Sequence, residues 1–160
     1  MIPAYLSIPI FFILILLLNY LYYYLRYGSI DTEQKRTEFM NNVMGSMFIT
    51  LALLKISDLN KFSDIFQQYD IISKSFPAYS KIFPFIEFLI GFLFLSHSYA
   101  PYIYYLALIF VGSNLISIIS ALMSNSTIPC GCFGGWLNLK LSYISVLENI
   151  FMLLMVYLLL

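Results

Sequence analysis

The chain has 160 residues, enough for one domain, and its eight basic side chains balance eight acidic ones. That neutrality leaves no argument for nucleic acid or any other polyanionic partner. Charged residues make up 10% and hydrophobic ones 61%, which excludes a soluble protein: a small soluble fold leaves too much of its surface in water to hide so many apolar side chains. The sequence predicts an integral membrane protein whose first partner is the lipid bilayer.

The first apolar run, Ala4 to Leu25, has the length of a spanning helix. No basic stretch precedes it and no small-residue cleavage site follows, so it reads as an anchor and not as a removed signal peptide. Tyr20, Tyr22, Tyr23, Tyr24 and Tyr27 cluster with Arg26 at its end, as an aromatic belt at the headgroups would. The polar stretch "RYGSIDTEQKRTE" belongs in water. The second run, Val43 to Leu54, is short; it spans if residues 40–42 enter one interface and Lys55 snorkels into the other.

Next, Phe62, Ile65, Phe66, Tyr69, Ile72 and Phe76 recur at spacings of three and four, which predicts an interfacial amphipathic helix over 61–76, ended by Pro77. A third span follows over 82–96, with Pro84 in its first turn, and a fourth over 101–123. A loop holds 124–140, and the last span covers 141–160 with Ser142 as its N-cap. The expected fold class is all-α: an integral membrane bundle with five spans.

Arg26, Lys35 and Arg36 follow the first span and nothing basic precedes it, so the positive-inside rule puts the first loop in the cytoplasm. Counting spans then makes the 124–140 loop extracytoplasmic in a multi-pass protein of the cell (inner) membrane. The lysines between 55 and 81 oppose that count, because they too would lie outside.

Both cysteines of the chain stand in that loop, as Cys130-Gly131-Cys132. A thiolate is the nucleophile of thiol–disulfide exchange, and a neighbouring thiol resolves the mixed disulfide. Gly131 permits the backbone angles that bring two such close residues together. Pro129, Gly134 and Gly135 punctuate a tight turn ahead of a helix N-terminus, and Phe133 and Trp136 can seat it at the interface. Redox chemistry at Cys130 and Cys132 is the leading reading. Two thiolates would also suit a soft metal ion, although no further ligands complete a zinc site. An idle structural pair is the third alternative, and His97 is simply solvated.

"PCGCFGG", followed by a Ser-initiated apolar helix containing "LEN", resembles the methylamine-utilisation MauE family within the DoxX-like membrane proteins. Upstream, "KISDLNKFSDIFQQYDIISKSFP" and "FPFIEFLIGFLF" resemble the stretch that links the first two helices of that four-helix core and the helix after it. The resemblance covers roughly 40–160 and implies a DoxX-like four-helix membrane domain there, with 1–39 as an added N-terminal transmembrane anchor and polar loop. It implies that the family's paired cysteines fall on Cys130 and Cys132. It further implies a redox-associated protein that forms disulfides in, or otherwise matures, an exported partner such as the methylamine dehydrogenase small subunit. A passive membrane scaffold is the alternative outside redox and metal chemistry.

Glu87 and Glu148 lie inside apolar spans, where carboxylates are costly and mark function by default. They could pair, take up a proton or meet a quinone headgroup; at interface depth they would instead bond to a neighbouring helix, to Lys81 or to Lys140. Asn114 and Asn149 read as interhelical hydrogen-bond donors and acceptors. No cofactor is expected. A quinone is the one candidate and is disfavoured, since no arginine near the cysteine loop would stabilise its reduced form; a redox partner protein or exported client is favoured.

Overall fold

In lipid, backbone polar groups have no water to bond, so a long apolar run must close its hydrogen bonds within itself, as a helix. The computed structural model describes residues 4–28, 32–96, 101–123 and 143–160. They form α1 (Ala4–Tyr27), α2 (Glu33–Ser57), α3 (Leu59–Tyr69), α4 (Ile71–Ser75), α5 (Ala78–Leu95), α6 (Pro101–Met123) and α7 (Tyr143–Leu159). Among the described residues there is no strand, and the fold is an all-α helix bundle. Among the described residues four helices are long and apolar enough to cross a membrane: Pro9–Tyr27 of α1, α2, α5 and α6. The apolar helix α7 is described over 17 residues, about 25 Å at the rise of an α-helix. The protein is a multi-pass membrane protein.

Several boundaries differ from the sequence reading. The second span is not a short run over 43–54 but the 25-residue α2, whose first turns come from the polar stretch assigned to water. Pro84 sits in the second turn of α5, because that helix starts at Ala78 rather than at Ile82. The amphipathic segment is two helices. Phe62, Ile65, Phe66 and Tyr69 are buried, but Ile72 and Phe76 are exposed. The cause is Asp70, which ends α3 and caps α4 by accepting from the Ser73 N–H at 2.7 Å. The restart rotates the apolar stripe away from the bundle.

The core rests on the pairing of α2 with α5, the most extensive helix contact in the fold. Glycines allow it: a Cβ at Gly91 would come within 2.9 Å of the Ile49 backbone nitrogen, and one at Gly45 within 2.9 Å of the Gly91 carbonyl oxygen. Such small-residue crossings let backbones approach where lipid supplies no hydrophobic drive. The α6–α7 pair packs beside this unit, and α1 lies against α2 and α7. One side of α1 stays exposed through Leu14, Leu17, Leu18 and Leu21, as suits a lipid-facing helix. Tyr23 corrects the aromatic belt: it is buried and its hydroxyl accepts from Asn42 Nδ2 at 2.9 Å, while Tyr20, Tyr22 and Tyr24 remain exposed.

Hydrogen bonds establish which helix ends share a face. Asp70, between α3 and α4, bonds to Ser117 in the last turns of α6. Asn114, also late in α6, bonds to Asn149, early in α7. The end of α2, the α3–α4 segment, the start of α5, the end of α6 and the start of α7 therefore gather at one end of the bundle.

Candidate functional site

Lys55 is in the last turn of α2, where a lysine beside an apolar run usually reaches for water. Here it turns inward. Its side chain is only 7% exposed, and Nζ donates to both carboxylate oxygens of Glu87 on α5, at 2.7 and 2.8 Å. The ammonium also lies 5.1 Å from the centre of the Phe83 ring and 5.8 Å from that of Phe62. The snorkelling assigned to Lys55 is thus replaced by a buried ion pair, and Glu87 takes neither of the two lysines considered for it; Lys81 is exposed.

Below the pair, aromatic rings from three helices close the floor. Phe66 of α3 stands 4.5 Å from Phe83 of α5, and Phe83 4.5 Å from Phe110 of α6, between ring centres. These rings, Lys55, Glu87, Asn114, Glu148 and Asn149 line one cavity of about 30 Å³, room for a water or two. Four helices so bring one ammonium, two carboxyls and two amides into a single small chamber.

The amides are oriented by a directed chain. Asn149 Nδ2 donates to the Ser145 carbonyl at 2.8 Å, which leaves Asn149 Oδ1 to accept from Asn114 Nδ2 at 3.0 Å. Among the described residues, Asn114 Oδ1 is then left as a buried acceptor without a donor, and so is Glu148 Oε2. Glu148 has a second neighbourhood: it borders a cleft of about 400 Å³ between α1 and α7, formed otherwise by Pro9, Phe12, Ile13, Leu16, Leu147 and Phe151. Among the described residues it is the single charged one of that cleft, and it stands in the wall between the cleft and the polar chamber.

Of the residues singled out from sequence, the structure brings Glu87, Glu148, Asn114 and Asn149 together. Lys55 completes them, and sequence reasoning missed it. The available signal was a lysine ending one span and a carboxylate early in the next, antiparallel one. Pro129, Cys130, Gly131, Cys132, Phe133 and Gly134 lie outside the described residues, as do His97, Trp136, Lys140 and Ser142. All of these but His97 lie in the segment that joins Met123 of α6 to Tyr143 of α7, two helix ends on the chamber's side of the bundle.

Searches of curated proteins and of solved structures return no match. The family model described as methylamine utilisation protein MauE matches residues 34–160, from the start of α2 to the end of the chain. With α2 but for its first residue, and the whole of α3 to α7, inside that match, the chain belongs to the MauE family.

Proposed function

We propose that this protein is a membrane thiol–disulfide redox protein that assists disulfide formation in, or maturation of, an exported partner. Membership of a family named for methylamine utilisation gives the general setting, a membrane protein associated with that process. The observation that carries the finer reading is the placement of the chain's two cysteines: one glycine apart, in the matched region, in the segment between α6 and α7.

In this reading a client thiolate attacks one sulfur of the Cys130–Cys132 disulfide and the other cysteine leaves as a thiolate. A second client thiol then displaces the mixed disulfide. The client gains a disulfide and loses two electrons and two protons; Cys130 and Cys132 gain both as a dithiol. A partner protein disulfide takes the electrons onward by the same exchange. The cysteine segment faces the extracytoplasmic side, where exported clients fold and disulfides persist.

Alkylation-shift gels on membranes from growing cells test this. Cys130 and Cys132 should be found in both dithiol and disulfide forms, and Cys132→Ser or Cys130→Ser should trap a client as a mixed disulfide. Thiols that stay reduced, trap nothing and hold a soft metal would overturn the reading in favour of metal binding.

A further inference from the structure

The chamber at Lys55 holds two carboxyls and one cation. Lys55 is committed to both oxygens of Glu87, so charge within the chamber balances without Glu148. An additional unpaired carboxylate is too costly to bury. Among the described residues no other cation faces Glu148: the neighbouring helices supply Lys55 and Glu87, the amides of Asn114 and Asn149, and Tyr69, and the described side chains of α1 that border it are apolar.

Hydrogen-bond accounting points the same way as the charge balance. The amide chain from Ser145 through Asn149 to Asn114 runs in one direction and leaves Asn114 Oδ1 open. Glu148 Oε2 is open as well. Two buried acceptors bordering one cavity have no donor among the described residues. We propose that the chamber is a proton-binding site: one proton resides on Glu148, and the O–H it creates satisfies Asn114 Oδ1 directly or through one water held in the cavity.

The site follows a counting rule, in which protonated carboxyls equal carboxyls minus cations. The wild-type chamber holds one. Glu148→Gln holds none. Glu87→Gln also holds none, because Lys55 is released to pair with Glu148 as a carboxylate. Lys55→Met holds two. This rule does not rest on the thiol chemistry, so the Cys130→Ser/Cys132→Ser protein should retain the single proton.

Infrared spectroscopy of the full-length protein in lipid reads this directly, through the C=O stretch of a protonated carboxyl and its shift in heavy water. At neutral pH the wild-type minus Glu148→Gln difference should contain one such band. Glu87→Gln should lose it and Lys55→Met should double it; if Lys55→Met does not assemble, Glu87→Gln alone decides. A wild-type protein without the band overturns the proposal, as does a Glu87→Gln protein that keeps it. Loss of the wild-type band on titration with sodium or potassium chloride overturns it too, in favour of a metal cation held by the same acceptors.

Discussion

Ser117 Oγ donates to Asp70 Oδ1 at 2.8 Å, joining residues 47 positions apart and tying the α3–α4 segment to the last turns of α6. The other oxygen of Asp70 caps α4 through the Ser73 N–H, and the Ile71 N–H donates to Ser117 Oγ at 3.3 Å. One carboxylate thus ends a helix, starts the next and anchors both. Asp70→Ala should cost about 2–3 kcal/mol, since it removes a cap and leaves a buried hydroxyl without its acceptor. Ser117→Ala should cost about 1 kcal/mol. Thermal unfolding in detergent measures both, and amide hydrogen exchange should rise at Ser73 in the first variant before any other helix opens.

The crossing of α2 and α5 gives a prediction with an internal control. Gly91→Ala would press its new methyl against Ile49 and Phe48, with the Ile49 nitrogen 2.9 Å away, and backbone there cannot yield without separating the helices. The expected loss is about 1–3 kcal/mol. Gly45→Ala should cost a similar amount, because besides Leu95 Cγ at 2.7 Å and Cδ2 at 2.8 Å its new methyl meets the Gly91 carbonyl oxygen, again backbone, at 2.9 Å. Gly112→Ala meets nothing within 4 Å and should leave the melting temperature unchanged or raised, alanine being the better helix former. Equal damage at Gly91 and Gly112 would show that the close approach does not hold.

These two cases also show what the sequence could and could not disclose. The helix over 101–123 was legible because an unbroken apolar run bounded by Pro101 has one solution in lipid. The start of α2 was not, because outside the hydrocarbon a helix needs no apolar residues; Thr32 before Glu33 was the one local sign of a helix start. The period through Phe62, Phe66 and Tyr69 was legible, but its end at Asp70 was not, since an aspartate in an amphipathic pattern looks like its polar face. Glu87 and Glu148 were conspicuous as carboxylates in apolar runs. Lys55 was not, because a lysine at the end of a span has a default explanation, and only the register of α2 against α5 replaces it with Glu87.

The chamber predicts a strong non-additivity. Glu148→Gln leaves the Lys55–Glu87 pair intact, and Glu87→Gln leaves Glu148 to take its place, so each should be tolerated. Glu87→Gln/Glu148→Gln strands the Lys55 ammonium among Phe62, Phe83 and neutral amides. Stranding a buried charge costs about 3–5 kcal/mol. Adding Lys55→Met to that double variant should recover most of the loss, because the residual chamber is neutral throughout. Thermal unfolding of the four proteins closes the cycle, and an additive double variant would show that Lys55 does not choose between the two carboxyls.

The last prediction concerns which membrane face the cysteines share. The Asp70–Ser117 bond holds α4 beside the end of α6, and the cysteine segment leaves from that same end at Met123. Lys74 is exposed on α4 and marks this face. A Lys74→Cys protein that also carries Cys130→Ser and Cys132→Ser presents one thiol there, and Cys132→Ser alone presents the native Cys130. Both should react with a membrane-impermeant maleimide added from the same side, and neither from the other side until the membrane is permeabilised. Labelling from outside intact cells would place both on the extracytoplasmic face and agree with a role toward exported clients. Labelling of Cys130 from the face opposite Lys74 would break the shared-end arrangement, whatever the chemistry of the thiols.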